Sequence, residues 1–76
     1  MREYELVNDV IKHLKNNINR IDKKTLKEII YAKNKNFYRK IIEILELTEY
    51  DKTQNISGIS YKSKLIIYEY IKSCLL

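Results

Sequence analysis

The sequence predicts an all-α protein, a compact four-helix bundle formed by a single domain over residues 1–76. Apolar residues recur at steps of three and four along most of the chain, as on one face of a helix. The polar breaks between these series are rich in asparagine, and the chain holds no proline and one glycine. With 76 residues, 45% of them hydrophobic, the chain can bury one core and is too short for two.

The first helix is predicted over about residues 3–19, because its apolar residues share one helical face. Glu3, Glu5 and Asp9 lie in its first turns, while Lys12 and Lys15 lie in later ones, an order that the helix dipole favours. The residues expected to face the core are Tyr4, Val7, Val10, Ile11, Leu14, Ile18 and Ile21.

The second and third helices are predicted over about residues 23–33 and 36–47, separated by the polar break 33–36. Two residues compete to cap the second helix: Asp22, or Thr25 in a capping box with Glu28. Asn36 is the expected cap of the third. The inward residues are predicted to be Leu26, Ile29, Ile30, Phe37, Ile41, Ile44 and Leu45.

Residues 48–60 are polar and predict the longest loop, after which a fourth helix is predicted over about residues 60–75 with Ser60 as its cap. Leu65, Tyr68, Ile71, Cys74 and Leu75 have helical spacing there. The same segment is rich in β-branched and aromatic residues, which also suit a strand. The alternative fold is therefore a winged helix-turn-helix with a hairpin at about residues 56–71.

Catalytic motifs are absent from the sequence, so we expect a protein that is not an enzyme and needs no cofactor or metal. One cysteine, Cys74, excludes an intramolecular disulfide and a thiolate cluster, and one glycine excludes a phosphate-binding glycine-rich loop. His13 follows Asp9 by four residues, a spacing that could orient a general base but more often belongs to a charged helix surface.

The charge distribution is the most informative functional feature of the sequence. Residues 12–40 contain ten basic and two acidic side chains, a local balance of +8, whereas residues 41–51 carry four acids and no base. This asymmetry favours a basic surface that binds phosphate groups or an acidic partner.

The basic stretch coincides with the second helix, the asparagine-rich turn and the start of the third, and residues 25–45 loosely resemble a helix-turn-helix. Ile30 and Asn34 stand where that motif usually has alanine and glycine, and Lys35 and Lys40 where it has apolar residues. A DNA- or RNA-binding module is therefore the leading hypothesis. The expected phosphate contacts are Lys23, Lys24, Lys27, Lys33 and Lys35, and the expected base-reading residues are Asn36, Arg39 and Lys40.

A protein–protein interaction module is the alternative hypothesis: an adaptor, a small inhibitor from a virus or mobile element that docks on a host complex, or a homodimer. The C-terminal segment holds more apolar residues than one helical face can bury. This excess predicts a partner interface at Ile66, Ile67, Tyr70, Leu75 and Leu76. Five tyrosines could stack or hydrogen-bond at a binding surface: Tyr31, Tyr38, Tyr50, Tyr61 and Tyr70.

The apolar runs are only a few residues long, far short of the roughly 20 that a membrane span requires, so we expect no membrane partner. The first residues lack the apolar core of a secretory signal. We therefore expect an intracellular protein, located in the cytoplasm or in the nucleoid or nucleus.

Overall fold

A computed structural model describes residues 2–32, 37–56 and 58–75, with the side chain of Gln54 left out. The described chain forms α1 (Glu3–Asn17), a 3-10 turn (Ile18–Arg20), α2 (Lys23–Tyr31), α3 (Phe37–Leu47), the single turn α4 (Thr53–Ile56) and α5 (Tyr61–Cys74). This is the predicted all-α architecture, with four principal helices.

The winged alternative is wrong. Residues 61–74 form one continuous helix, and no strand occurs among residues 2–32, 37–56 and 58–75. The β-branched and aromatic residues of α5 are accommodated in a helix because Ile67, Tyr68 and Ile71 bury one of its faces in the core. Burial in tertiary structure outweighs the intrinsic strand preference of such residues.

Helices α1 and α5 pack side by side and run in the same direction. Their first turns meet where the Glu3 carboxylate accepts hydrogen bonds from the Ser60 backbone N–H at 2.8 Å and from the Ser63 hydroxyl at 2.7 Å. Ile18 and Cys74, at their other ends, line one cleft. Helix α2 packs against both α3 and α5.

One continuous core joins the helices. Its fully buried members are Val10, Leu14, Ile29, Ile41, Leu45, Ile56 and Ile67, all with no exposed surface. The predicted inward residues of α2 and α3 are borne out for Leu26, Ile29, Phe37, Ile41, Ile44 and Leu45. In α1 the prediction fails for Tyr4, which is 61% exposed, while Leu6 is buried.

The segment between α3 and α5 is more ordered than the predicted loop. Tyr50, Ile56 and Ile59 are buried, and residues 53–56 form α4. Helix α3 ends in a Schellman motif, in which the Tyr50 N–H bonds to the Leu45 carbonyl and the Glu49 N–H to the Glu46 carbonyl. Glu49 has a positive φ of 62° at the position that glycine usually takes. The motif returns the chain to the bundle and inserts Tyr50 into it.

Two of the predicted caps are present. Asp22 caps α2 by accepting a hydrogen bond from the Lys24 N–H at 3.1 Å, so the competing capping box at Thr25 is wrong. The Ser60 hydroxyl caps α5 by accepting a hydrogen bond from the Ser63 N–H at 3.2 Å. The predicted cap at Asn36 lies outside the described residues.

Candidate functional site

The outer surface of α2 gathers three lysines and a tyrosine, which we call the basic face of α2: Lys23, Lys24, Lys27 and Tyr31. All four are exposed, and Tyr31 shows 86% of its surface to solvent. Lys23, Lys27 and Tyr31 follow one another at steps of four residues, so they form one line along the helix, with Lys24 beside it. The opposite face of α2 buries Leu26 and Ile29 in the core.

The one acid on the exposed part of α2 lies at the edge of this face and has a basic partner. Glu28 forms an ion pair with Lys40 of α3, with 3.8 Å between carboxylate oxygen and Lys40 Nζ. Lys40 is partly buried as a result. Lys40 compensates the charge of Glu28, so the net positive charge of the basic face comes from its three lysines.

The lysines of the basic face are unfavourable for the helix that carries them. Lys23 and Lys24 occupy its first turn, where the positive end of the helix dipole repels cations by roughly 0.3–1 kcal/mol each. Lys27 is four residues from Lys23 and three from Lys24, spacings at which like charges repel. None of the three forms an ion pair with an acid in the described ranges. Within α2, only Glu28, four residues after Lys24, has a spacing that offsets part of this repulsion.

The structure brings together only part of the predicted nucleic-acid surface. Lys23, Lys24 and Lys27 share the basic face of α2, and Arg39 is exposed on α3. Lys40 is engaged with Glu28. The predicted contacts Lys33, Lys35 and Asn36 lie outside the described residues.

Helices α2 and α3 approach each other at both ends, as in an antiparallel helical hairpin. Glu28 near the end of α2 meets Lys40 near the start of α3. Asp22 and Thr25 at the start of α2 line a cleft with Ile44 and Leu47 at the end of α3. In a helix-turn-helix the two helices instead cross at about 90–120°. Any contact of α2 and α3 with nucleic acid would therefore be made by an exposed helix surface.

The predicted partner interface on α5 is largely not an open surface. Ile67 is wrong as an interface residue, because its exposed fraction is 0% and it belongs to the core. Ile66 is 46% exposed, whereas Tyr70 and Leu75 are partly buried against the core. Leu76 is not described. The inward face of α5 includes the buried Ser63, whose hydroxyl donates a hydrogen bond to the exposed Glu3 carboxylate.

The tyrosines differ sharply in what they contact. Tyr38 donates a hydrogen bond to the Ile56 carbonyl, and the ammonium group of Lys64 lies 4.2 Å from the centroid of its ring. Burial raises the pKa of Tyr38 to about 12. Tyr70 is partly buried, and burial together with a hydrogen bond to Cys74 raises the pKa of its phenol. Tyr31 and Tyr61 are the exposed members of the five candidate tyrosines, at 86% and 59%, and Tyr31 lies one helical turn after Lys27 on the basic face.

A polar cluster joins α1 to the turn after α3. Tyr50 donates a hydrogen bond of 2.7 Å to Asp9, and Lys52 Nζ lies 3.3 Å from the same carboxylate oxygen. The hydrogen bond from Tyr50 and the charge of Lys52 lower the pKa of Asp9. Burial and the nearby Asp9 carboxylate raise the pKa of Tyr50. The Asp9 carboxylate thus accepts hydrogen bonds from Tyr50 and Lys52 and does not orient His13.

His13 has a structural role in the same cluster. Its Nε2 is 2.8 Å from the Thr48 hydroxyl, and that hydroxyl donates its only hydrogen to the Ile44 carbonyl at 2.8 Å. The Thr48 hydroxyl thus links the His13 ring on α1 to the last turn of α3. The imidazole ring also meets Tyr50 edge-on, with centroids 4.9 Å apart. Nε2 of His13 is therefore engaged within the fold.

Two apolar clefts lie on either side of Ile21. One, of about 220 Å3, runs between the start of α2 and Leu47, which is 76% exposed. The other, of about 390 Å3, is lined by Ile18, Leu26 and Cys74 among others. Cys74 and His13 line different clefts, which does not support a nucleophile–base pair.

A cluster of three or more histidine, cysteine, aspartate or glutamate side chains that could hold a metal ion does not occur in the described part of the chain. Within the same residues, no helix has the length and apolar character required to cross a membrane. Comparisons of the chain with models of known protein families, with curated proteins and with solved structures gave no match.

Proposed function

We propose that the protein is a small nucleic-acid-binding module that contacts phosphate groups through the basic face of α2. The observation that carries the proposal is the line of exposed lysines without ion-pair partners, together with Tyr31. Phosphate oxygens would supply ion-pair partners for Lys23, Lys24 and Lys27, which form none with the acids of the described residues.

The electrostatic cost of the basic face supports a role in binding. Local rules of helix stability favour acidic residues in the first turn, and α2 has two lysines there. Natural chains depart from such rules mainly at functional sites, where the loss of stability is offset by binding. Arg39, exposed on α3, would extend the positive surface.

The direct test is a titration of labelled oligonucleotides, single-stranded and duplex, monitored by fluorescence anisotropy. The variant K23Q/K24Q/K27Q should bind about a hundredfold more weakly than wild type at 0.1 M salt, because three phosphate contacts contribute a factor of about that size relative to 1 M salt. Folding should persist, since all three side chains are exposed.

The matched control is K12Q/K15Q/K62Q, which removes the same charge from exposed positions on α1 and α5. At 0.1 M salt, charges farther than about 10 Å from the ligand are largely screened, so the control should retain most of the affinity. Equal losses in the two variants, or no binding of either oligonucleotide by wild type at about 50 mM salt, would contradict the proposal.

A protein-interaction module is the second candidate, and the exposure of Leu47 favours it. Leu47 is 76% exposed and lines an apolar cleft, and a partner protein could cover the two together. Ile66 adds a smaller apolar surface on α5. Absence of nucleic-acid binding in the titration would make this candidate the leading one.

A further inference from the structure

The residue types on the basic face of α2 bear on whether it would bind paired or unpaired nucleic acid. We propose that it binds single-stranded nucleic acid, with an unpaired base stacked on Tyr31 and the flanking phosphates held by Lys23, Lys24 and Lys27. This inference depends on the proposed function and specifies its ligand.

The first argument is the position of Tyr31. Its ring is 86% exposed and lies in line with Lys27 and Lys23, so it is surrounded by solvent and cations. An exposed phenol ring can stack on the face of a base only when that base is not already stacked in a duplex. A line of cations with an aromatic ring is the combination that tracks single strands without reading sequence.

The second argument is what the exposed surface of α2 lacks. Its exposed residues are three lysines, Glu28 and Tyr31, and none is arginine, asparagine or glutamine. Arginine, asparagine and glutamine make bidentate contacts with guanine and adenine edges in the major groove, and lysine can also contact guanine. Of these residue types the basic face has lysine alone, so it can hold a backbone but offers few ways to read the bases of a duplex.

The third argument is the asymmetry of charge across α2. A helix in the major groove has a phosphate strand on each side, because the groove is about 12 Å wide. On α2 Lys23 and Lys27 lie in line with Tyr31, Lys24 lies beside that line, and Glu28 occupies the edge beyond Lys24 in its ion pair with Lys40. From Lys23 to Tyr31 the line is about 12 Å long. One strand fits this arrangement better than two.

The experiment compares a labelled thymidine oligonucleotide of about ten nucleotides with the duplex that it forms with its complement, at about 50 mM salt. Wild type should bind the single strand at least about tenfold more tightly. Tyr31→Ala should weaken single-strand binding about tenfold, because stacking on an aromatic side chain contributes about that factor per base. Tyr31→Phe should retain the affinity, since it keeps the ring.

Tyr4→Ala is the control, because Tyr4 is also a largely exposed tyrosine but lies on α1. It should leave single-strand binding unchanged. Duplex binding as tight as single-strand binding, or an unchanged affinity in Tyr31→Ala, would overturn the inference, and the proposed function would stand if K23Q/K24Q/K27Q still lost binding. Failure of wild type to bind either oligonucleotide would instead overturn the proposed function itself.

Discussion

Asp9 shows how one side chain connects two distant parts of the chain. Its carboxylate accepts hydrogen bonds from Tyr50 and Lys52, which follow it by more than forty residues. Tyr50 reaches this position because the Schellman motif at the end of α3 turns the backbone at Glu49. The carboxylate is partly exposed, so solvent screens part of its interaction with Lys52.

Asp9→Asn should lower the free energy of unfolding at pH 7 by about 1 kcal/mol, since it removes the charged acceptor at a partly exposed site. The pKa of Asp9 is lowered by folding, so its contribution is present above the unfolded pKa of about 3.9 and is lost as pH falls through the folded value. Urea unfolding should therefore show a difference between Asp9→Asn and wild type at pH 7 that nearly disappears at about pH 2.

Glu43→Gln is the matched control, because Glu43 is an exposed acid on α3. It should change the stability by less than about 0.5 kcal/mol at either pH. A difference between wild type and Asp9→Asn that stays constant down to about pH 2 would show that the carboxylate does not stabilise the fold by its charge.

The helix starts show how an element is defined by its first residues. Asp22 accepts from the Lys24 N–H and fixes the beginning of α2, whereas Thr25 lies inside the first turns of the helix. Both residues satisfied the sequence pattern of a cap. The cap closer to the preceding 3-10 turn was used, and sequence spacing does not show where that turn ends.

Asp22→Ala should therefore lower the free energy of unfolding by about 1 kcal/mol, the usual effect of removing an aspartate cap. Thr25→Ala should cost less, because threonine has the lower helix propensity and this residue does not cap α2. Thermal unfolding monitored by circular dichroism measures both. A larger loss in Thr25→Ala than in Asp22→Ala would contradict the assignment of the cap.

For the whole molecule, the four principal helices and most of the core could be predicted from the sequence, because three-and-four periodicity reports directly on burial. The orientation of α5 could not. Ser63 is buried and donates a hydrogen bond to the Glu3 carboxylate, a contact between residues sixty positions apart that periodicity does not detect. The inward face of α5 therefore includes Ser63 and Ile67. Ile67, which was predicted to lie at a partner interface, belongs to the core.

The orientation of α5 is tested by two neighbouring isoleucines. Ile67→Val should cost about 1 kcal/mol, because it removes a methylene from a fully buried site. Ile66→Val should change the stability by less than about 0.5 kcal/mol, since the side chain is 46% exposed. Urea unfolding of both variants measures the difference, and the reverse order of effects would contradict the packing of α5.

The candidate site was predictable in charge but not in geometry. The local balance of +8 identified the basic part of the chain, and the lysines of α2 are among its exposed members, with Lys12, Lys15, Arg20 and Arg39. Sequence spacing could not show that Lys40 is engaged by Glu28, or that α2 and α3 approach at both ends. Tyr31 was one of five tyrosines that the sequence offered for stacking, and only the structure shows that it is the most exposed of the five.

The salt dependence of single-strand binding tests the central claim, that the basic face of α2 holds phosphate groups, most directly. Each phosphate neutralised on a single strand contributes about −0.7 to the slope of log K against log salt. The slope for K23Q/K24Q/K27Q should therefore be shallower than that of wild type by about 2, while K12Q/K15Q/K62Q keeps the wild-type slope. Identical slopes for wild type and K23Q/K24Q/K27Q would contradict the account.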